Sequence, residues 1–267
     1  MPEFSPQQFS LVYNAFSFTF AAMFATFIFL LLSRERVAPQ YRGAIVMSSL
    51  VVAIAGYHYF RIFESWQSAF VVNALDGGAF NYISSGSPFN DAYRYIDWLL
   101  TVPLLVAELI AVTALAPNKR GGLTFRLALA AALMIILGYP GEIATDNGTR
   151  ALWGFISTIP FVYIVYELFV TLTPIIAKET GEVKKLFTNA RLLLLATWGF
   201  YPIVYMLPFV LGGSGINPGV IIAVQIGYCI ADVAAKCGYG IMIYTIARAK
   251  TEQLGVVNPN MATAAGD

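Results

Sequence analysis

Charged residues are scarce in this sequence, and neither sign predominates. Lys, Arg, Asp and Glu make up 12% of the 267 residues, and the formal net charge is +1. Proteins that bind nucleic acids usually carry a basic patch, so we expect no nucleic-acid partner. The chain has a single histidine and two cysteines, too few for a His and Cys ligand set, and we expect no metal site.

The two cysteines, Cys229 and Cys237, fall in one apolar run. On a helix they would lie about two turns apart, which is too far for the geometry of a disulfide. We therefore expect no disulfide between them.

Apolar residues, by contrast, are abundant. They make up 58% of the chain, and the mean hydropathy is +0.69, far above a soluble domain. Seven apolar runs each approach or exceed the roughly 20 residues needed to cross a bilayer, although the fourth run is short. They cover residues 8–32, 43–64, 92–116, 122–138, 150–173, 189–211 and 217–248. The fold class predicted is an all-α membrane protein, a seven-transmembrane helix bundle.

The connections between the runs predict the orientation and the domain organisation. Twelve of the 16 Lys and Arg residues fall on one side of the seven runs, which the positive-inside rule places in the cytoplasm. The N-terminus is then outside and the C-terminus cytoplasmic. Residues 1–250 form one transmembrane domain, and we expect the tail 251–267 to be disordered. On the outer side, Asp76-Gly77-Gly78 between two β-prone stretches predicts a small hairpin.

A lysine near the middle of the seventh run requires an explanation. Lys236 follows Asp232 by four residues, so on a helix the two side chains share one face. Intramembrane ionisable residues are costly, rare and usually paired or functional. Two interpretations remain open: a structural ion pair between helices, or a buried amine that condenses with an aldehyde to form a Schiff base.

The third run carries a second set of polar residues. Steps of 3, 4 and 7 separate Arg94, Asp97, Thr101 and Glu108, which places all four on one helical stripe. The two carboxyls are separated by about 16 Å of helical rise, with Glu108 nearer the cytoplasm. Such a spaced pair suggests a proton relay. We expect Glu108 to be protonated in its dry position and Asp97, near two cations, to be ionised.

Other positions permit both ordinary and functional interpretations. A lone histidine such as His58 usually has a packing role. A glycine beside bulky residues, such as Gly154, usually allows helices to approach closely. The aromatic residues Trp198, Tyr201 and Tyr205 flank Pro202; such stripes are ordinarily core, but with Trp98 they could enclose a flat conjugated ligand.

Three motifs in this order resemble the microbial rhodopsins over essentially all seven runs. They are Arg-Tyr-x-Asp-Trp-x-x-Thr-x-Pro-Leu-Leu from Arg94, Trp-x-x-Tyr-Pro from Trp198 and Asp-x-x-x-Lys from Asp232. The set Asp97, Thr101 and Glu108, with His58, is similar to the proteorhodopsin and xanthorhodopsin branch of light-driven outward proton pumps.

The resemblance implies a role for each of these residues. Lys236 would bind all-trans retinal as a protonated Schiff base, with Asp97 and Asp232 as counter-ions supported by Arg94. Asp97 would accept the proton, His58 would hydrogen-bond this acceptor, and Glu108 would donate the replacement. The residues that match retinal-pocket positions are Trp98, Thr101, Leu105, Trp198, Tyr201, Pro202 and Tyr205.

The resemblance also extends to partners and leaves some questions open. Gly154 matches a glycine that admits a carotenoid antenna in xanthorhodopsin-like pumps, and Glu142 is a weakly supported candidate for proton release. The loop after the sixth run, residues 212–218, lacks the acidic pair of the haloarchaeal proton pump. A trimeric or pentameric homo-oligomer in a bacterial inner membrane is implied.

Three other functions compete with a proton pump. A sensory rhodopsin typically lacks a carboxyl at position 108. Chloride pumps replace the acceptor carboxylate, and sodium pumps move it along the third run. A channel or transporter without retinal would not need Lys236. The proton pump and all three alternatives are transporters or receptors, so we do not expect an enzyme.

Overall fold

The computed structural model describes residues 2–211 and 217–255, and seven long helices dominate it. Within these residues, seven helices are long and apolar enough to cross a membrane, which confirms the predicted all-α seven-helix bundle. The fourth helix is longer than its predicted apolar run. The helices are α1 (Pro6–Ser33), α2 (Arg42–Ala69), α3 (Ala92–Val112), α4 (Pro117–Glu142), α5 (Asn147–Tyr166), α6 (Gly181–Val210) and α7 (Pro218–Gln253).

Side-chain caps fix the beginnings of several helices. Ser5 and Gln8 form a reciprocal capping box at α1, which begins at Pro6. Asp146 accepts a hydrogen bond from the Thr149 amide at α5, and Asn217 caps α7 in the same way. These caps satisfy backbone amides that a helix start leaves unpaired.

Two π-helical segments occur among the described residues. The first, Glu167–Thr171, follows α5 and leads into a one-turn helix, Thr173–Ile176. The second, Val233–Gly238, interrupts the regular α-helical hydrogen bonds of α7 and includes Lys236. Short π segments in helices occur frequently at functional sites.

The predicted hairpin is present between α2 and α3. Strands β1 (Phe70–Ala74) and β2 (Phe80–Ser84) pair antiparallel, with Phe70 opposite Ser84. Gly77 and Gly78 have φ values of 76° and 82°, a left-handed conformation that glycine adopts without steric cost. We call the end of the bundle that carries this hairpin the hairpin side.

We call the opposite end, where α7 ends at Gln253, the tail side. The predicted disordered tail lies outside the described residues from residue 256 onward, and so does the loop 212–216. Helices α3 and α7 both run from the hairpin side to the tail side, whereas α2 runs in the reverse direction.

The outer surface of the bundle carries many large apolar side chains, unlike the surface of a soluble protein. Large apolar side chains face outward, with Phe18 66% and Phe155 71% exposed. Five charged side chains are at most 1% exposed inside the bundle: Arg94, Asp97, Glu108, Asp232 and Lys236. Since charges are costly in an apolar interior unless paired, their surroundings identify the candidate site.

Candidate functional site

The centre of the site is the amine of Lys236, at the π segment of α7. Its Nζ lies 2.8 Å from Oδ2 of Asp97 and 2.5 Å from Oδ1 of Asp232. All three side chains are at most 1% exposed. The predicted pair of Asp232 and Lys236 is thus a triad, because α3 contributes a second carboxylate.

Hydrogen-bond donors surround Asp232 on both of its oxygens. Oδ2 accepts from the Tyr59 hydroxyl at 2.6 Å, and Oδ1 accepts from the Tyr201 hydroxyl at 2.5 Å and from the Trp98 indole nitrogen at 3.1 Å. With Lys236 this gives four donor groups. A carboxylate held by several donors is stabilised in its charged form.

Asp97 has far fewer partners than Asp232. Its Oδ2 contacts Lys236, but its buried Oδ1 has no hydrogen-bond partner among the described residues. The nearby Thr101 hydroxyl donates to the Asp97 main-chain carbonyl, at 2.8 Å, rather than to the carboxylate. A negative charge on a buried oxygen that lacks a hydrogen-bond donor is costly. Of the two carboxylates, Asp97 therefore gains a proton more readily.

Arg94 was expected to support the two carboxylates, but its hydrogen bonds go elsewhere. Its guanidinium forms an ion pair with Asp91 and donates to the amide oxygen of Gln225 at 2.8 Å. It also lies over the Tyr228 ring, 4.9 Å from the centroid. Arg94 thus extends the charged network toward the hairpin side, where Asp91 is 28% exposed.

Glu108 lies on the tail side of the same helix in very different surroundings. It is 0% exposed. Its Oε2 accepts from the Ser48 hydroxyl of α2 at 2.5 Å, and its Oε1 has no partner in the described part of the chain. No salt bridge to Glu108 occurs among the described residues. Burial without a counter-charge favours the protonated form.

His58 lies in α2 and is 7% exposed. Its Nδ1 is 2.9 Å from the Ile54 carbonyl, one turn earlier in the same helix, and the ring packs against Tyr57 and Tyr93. Among the described residues it has no hydrogen bond to Asp97. The predicted contact with the acceptor is therefore absent from this conformation.

A cavity extends from Lys236 between α3, α4, α5 and α6. Of the predicted pocket residues, Thr101 does not line it, although Thr101 is fully buried nearby. The predicted residues that do line it are Trp98, Leu105, Gly154, Trp198, Tyr201, Pro202 and Tyr205. Residues that the sequence did not indicate also contribute, among them Tyr95, Met134, Ser157 and Tyr228.

The cavity reaches the outer surface of the bundle near Gly154. Its lining includes Thr158 and Pro202, and both are exposed. A Cβ atom on Gly154 would lie 3.0 Å from the Tyr205 ring, which is closer than an ordinary contact. The glycine thus allows this ring to pack directly against α5.

Glu142 lies at the hairpin-side end of α4. Its Oε2 is 3.8 Å from Arg150, and Arg150 is fixed by hydrogen bonds to the carbonyls of Glu142 and Tyr205 at 2.8 and 2.9 Å. Glu142 and Asp91 are two carboxyls near this end of the bundle. The sequence indicated only the first of them, since Asp91 precedes the helix and lies outside the apolar run.

Comparison with known families and curated proteins gives consistent matches. A family model described as bacteriorhodopsin-like protein matches residues 11–250. The green-light absorbing proteorhodopsin of a gamma-proteobacterium is 30% identical over 233 residues, covering 85% of this chain and 82% of the relative. Bacteriorhodopsin of Halobacterium salinarum is 31% identical over 174 residues, covering 64% and 63%.

Solved structures are similar over nearly the whole chain. The crystallographic structure of xanthorhodopsin, titled a light-driven ion pump with dual chromophore, is 55% identical, covers 96% of this chain and 99% of that chain, and has a TM-score of 0.89. Thermophilic rhodopsin is 48% identical with the same coverage and the same TM-score. The matched range of the family model includes parts of all seven helices.

Proposed function

The chain belongs to the bacteriorhodopsin-like family of microbial rhodopsins, and we propose that it is a light-driven pump that moves protons outward across a bacterial inner membrane. The proteorhodopsin and xanthorhodopsin relatives support light-driven transport in general. The assignment of protons as the cargo and of an outward direction depends on how the carboxyls are arranged around Lys236. In this proposal the hairpin side faces outward.

The residues of the site fit the retinal that the family implies. Lys236 presents a buried amine to the cavity, as a covalent link to an aldehyde requires. The walls are aromatic and aliphatic and include Trp98, Trp198 and Tyr201, as expected for a flat apolar polyene. Retinal bound at this nitrogen would supply the absorption of light and a change of shape that disturbs the triad.

The observation that carries the proposal is the difference between the two counter-ions. Asp232 is saturated with donors, whereas Asp97 has a buried oxygen with no partner. When the charge on Nζ is displaced, the proton on Nζ moves to the carboxylate that gains more by becoming neutral. We assign Asp97 as this acceptor and Asp232 as the permanent counter-charge.

Glu108 then returns a proton to Nζ from the tail side. Its dry position keeps it protonated until the nitrogen is deprotonated, and it then takes up a new proton from the cytoplasm.

The proton on Asp97 leaves toward the hairpin side through the network of Arg94 and Asp91, with Glu142 as a further release candidate. Each proton costs about 2.3 kcal/mol per 100 mV of membrane potential, which is small for a photon-driven step.

Illumination of vesicles or cells that contain the protein and retinal tests this proposal. For an outward pump the outside of cells acidifies in light, and a protonophore abolishes the signal. A pump of chloride or sodium would give a pH change that the protonophore increases, since protons then only follow the potential. A sensory rhodopsin would give no sustained change. Either result would overturn the assignment.

A carotenoid antenna is a second element of the proposal. It is supported by the open cavity end at Gly154 and by the dual chromophore named for the xanthorhodopsin structure. Close helix packing is the alternative reason for a glycine here. A carotenoid added to the purified pigment should appear in the excitation spectrum of the native protein and not of Gly154→Trp. Equal spectra for both proteins would leave packing as the explanation.

A further inference from the structure

The hydroxyl of Tyr239 is a buried polar group that the mechanism above does not use. Tyr239 directly follows the π segment of α7 and is 1% exposed. Its hydroxyl has no hydrogen-bond partner among the described residues. Buried polar groups are nearly always paired, so an unpaired phenol inside an apolar bundle calls for a functional explanation.

The surroundings of Tyr239 connect it to Glu108. Glu108 has the second unpaired buried oxygen in this region, Oε1. The neighbour Gly240 packs so closely on α2 that a Cβ atom there would lie 3.5 Å from Cβ of Ser48, the residue that hydrogen-bonds Glu108. The part of α7 that begins at Tyr239 also packs against α3, the helix that carries Glu108.

The position of Tyr239 along the bundle matches a gap in the proton path. Glu108 follows Asp97 by eleven residues, or about 16 Å of helical rise, whereas direct proton transfer needs donor and acceptor about 2.6–3.2 Å apart. Lys236 contacts Asp97, so its nitrogen is far from Glu108. Tyr239 lies three residues beyond Lys236 in the direction of Glu108.

We propose that the Tyr239 hydroxyl is a proton relay between Glu108 and the nitrogen of Lys236. The inference rests on the proposed role of Glu108 as proton donor. The O–H bond of the Glu108 carboxyl breaks, and its proton reaches the Tyr239 oxygen through a bridging water, because the two groups are not hydrogen-bonded directly. The original phenolic proton leaves through water to Nζ. Glu108 ends as a carboxylate, Tyr239 ends neutral, and one proton has moved.

The variant Tyr239→Phe tests the relay because it removes one oxygen and keeps the ring. Tyr244→Phe is the matched control, since Tyr244 is also a buried tyrosine of α7, 6% exposed, with its ring edge-on to Phe29. After a flash, we expect Tyr239→Phe to reprotonate Nζ about a hundredfold more slowly, because positioned proton-transfer groups contribute about 10²–10⁴-fold. The absorption maximum and the deprotonation rate should be unchanged, and Tyr244→Phe should match wild type.

Infrared spectra of the retinal-free protein give a second readout. The Glu108 carboxyl band, isolated by subtracting the spectrum of Glu108→Gln, should shift in Tyr239→Phe because the carboxyl loses a nearby hydroxyl. Selective slowing together with this shift supports the relay. A reprotonation rate within twofold of wild type overturns it, and so does slowing without a band shift.

The Glu108→Gln variant separates this inference from the function on which it rests. If Glu108→Gln is slow and Tyr239→Phe is not, the relay fails and the donor assignment stands. If Glu108→Gln itself reprotonates at the wild-type rate, the proposed donor fails, and the relay fails with it.

Discussion

Helix α3 carries two carboxyl side chains whose surroundings are opposite. On the hairpin side, Asp97 lies in a polar region with a lysine amine at 2.8 Å and a second carboxylate nearby. On the tail side, Glu108 is fully buried, accepts a hydrogen bond from the Ser48 hydroxyl and has no counter-charge among the described residues. The first region stabilises charges and the second excludes them.

The difference shows how one helix can give a direction to proton movement. A carboxylate beside a cation is an acceptor once that cation releases its proton, and a neutral acid in a dry region is a donor once the base is empty. Neither property belongs to the residue type. Both depend on what the neighbouring helices place beside it.

The largest effect is expected on the hairpin side, for Asp97→Asn. The amide keeps the shape of the side chain but cannot take up the proton from Lys236. Light-driven acidification should fall by at least about 10²-fold, the usual loss when a positioned acid or base is removed. The assay is external pH in illuminated cells with equal pigment content. Acidification at half the wild-type rate or more would assign the acceptor role to another group.

On the tail side, Glu108→Gln should leave the pigment and the first proton transfer intact. Reprotonation of the Lys236 nitrogen should slow by about 10²-fold near neutral pH, because the proton must then come from the cytoplasm. Flash spectroscopy measures both steps. Glu167→Gln is the control, since Glu167 is 5% exposed but pairs with Tyr163 and Arg126. Equal slowing in both variants would contradict a specific donor.

A smaller effect is expected for Ser48→Ala, which removes the hydrogen bond that Glu108 accepts within the described part of the chain. The hydroxyl stabilises the carboxylate more than the neutral acid, so its loss makes Glu108 a weaker donor. One hydrogen bond contributes about 1 kcal/mol, or about fivefold in rate. Reprotonation should slow by this factor. Ser49→Ala is the control, because the Ser49 hydroxyl donates to the Ile45 carbonyl of its own helix.

The smallest effect is expected at a carboxylate outside both regions. The Thr149 amide donates to Asp146 at the start of α5 and lowers the pKa of this exposed carboxyl. A lowered folded-state pKa means that the stabilisation is present above the usual aspartate value, about 3.9, and is lost as the pH falls through the folded-state value.

Thermal unfolding from pH 6 to pH 3 measures this contribution. Asp146→Asn keeps a capping oxygen but does not titrate, so its unfolding temperature should fall slightly less than that of wild type over this range. An identical pH dependence in both proteins would show that the cap contributes nothing measurable.

The sequence was sufficient for the overall fold and for the residues nearest the amine. Hydropathy gave the seven helices, and Asp76-Gly77-Gly78 gave the hairpin, because both depend on local composition. The stripe of Asp97 and Glu108 on α3 also follows from helical periodicity alone. These features need no knowledge of how the helices pack.

Contacts between helices could not be predicted in this way. Tyr59 and Tyr201 bind Asp232 from α2 and α6, at sequence separations of 173 and 31 residues. Arg94 forms an ion pair with Asp91 and donates a hydrogen bond to Gln225. The Nδ1 atom of His58 contacts a carbonyl of its own helix. Each side chain has several possible partners, and the packing of the whole bundle selects among them.

Time-resolved infrared spectroscopy tests the central claim most directly, with Asp97→Asn and Glu108→Gln used to assign the carboxyl bands. We predict that a protonated-carboxyl band of Asp97 appears as the Lys236 nitrogen loses its proton, and that the band of Glu108 disappears as the nitrogen regains one. Protonation of Asp232 in place of Asp97, or a Glu108 band that stays constant throughout the cycle, would contradict the account.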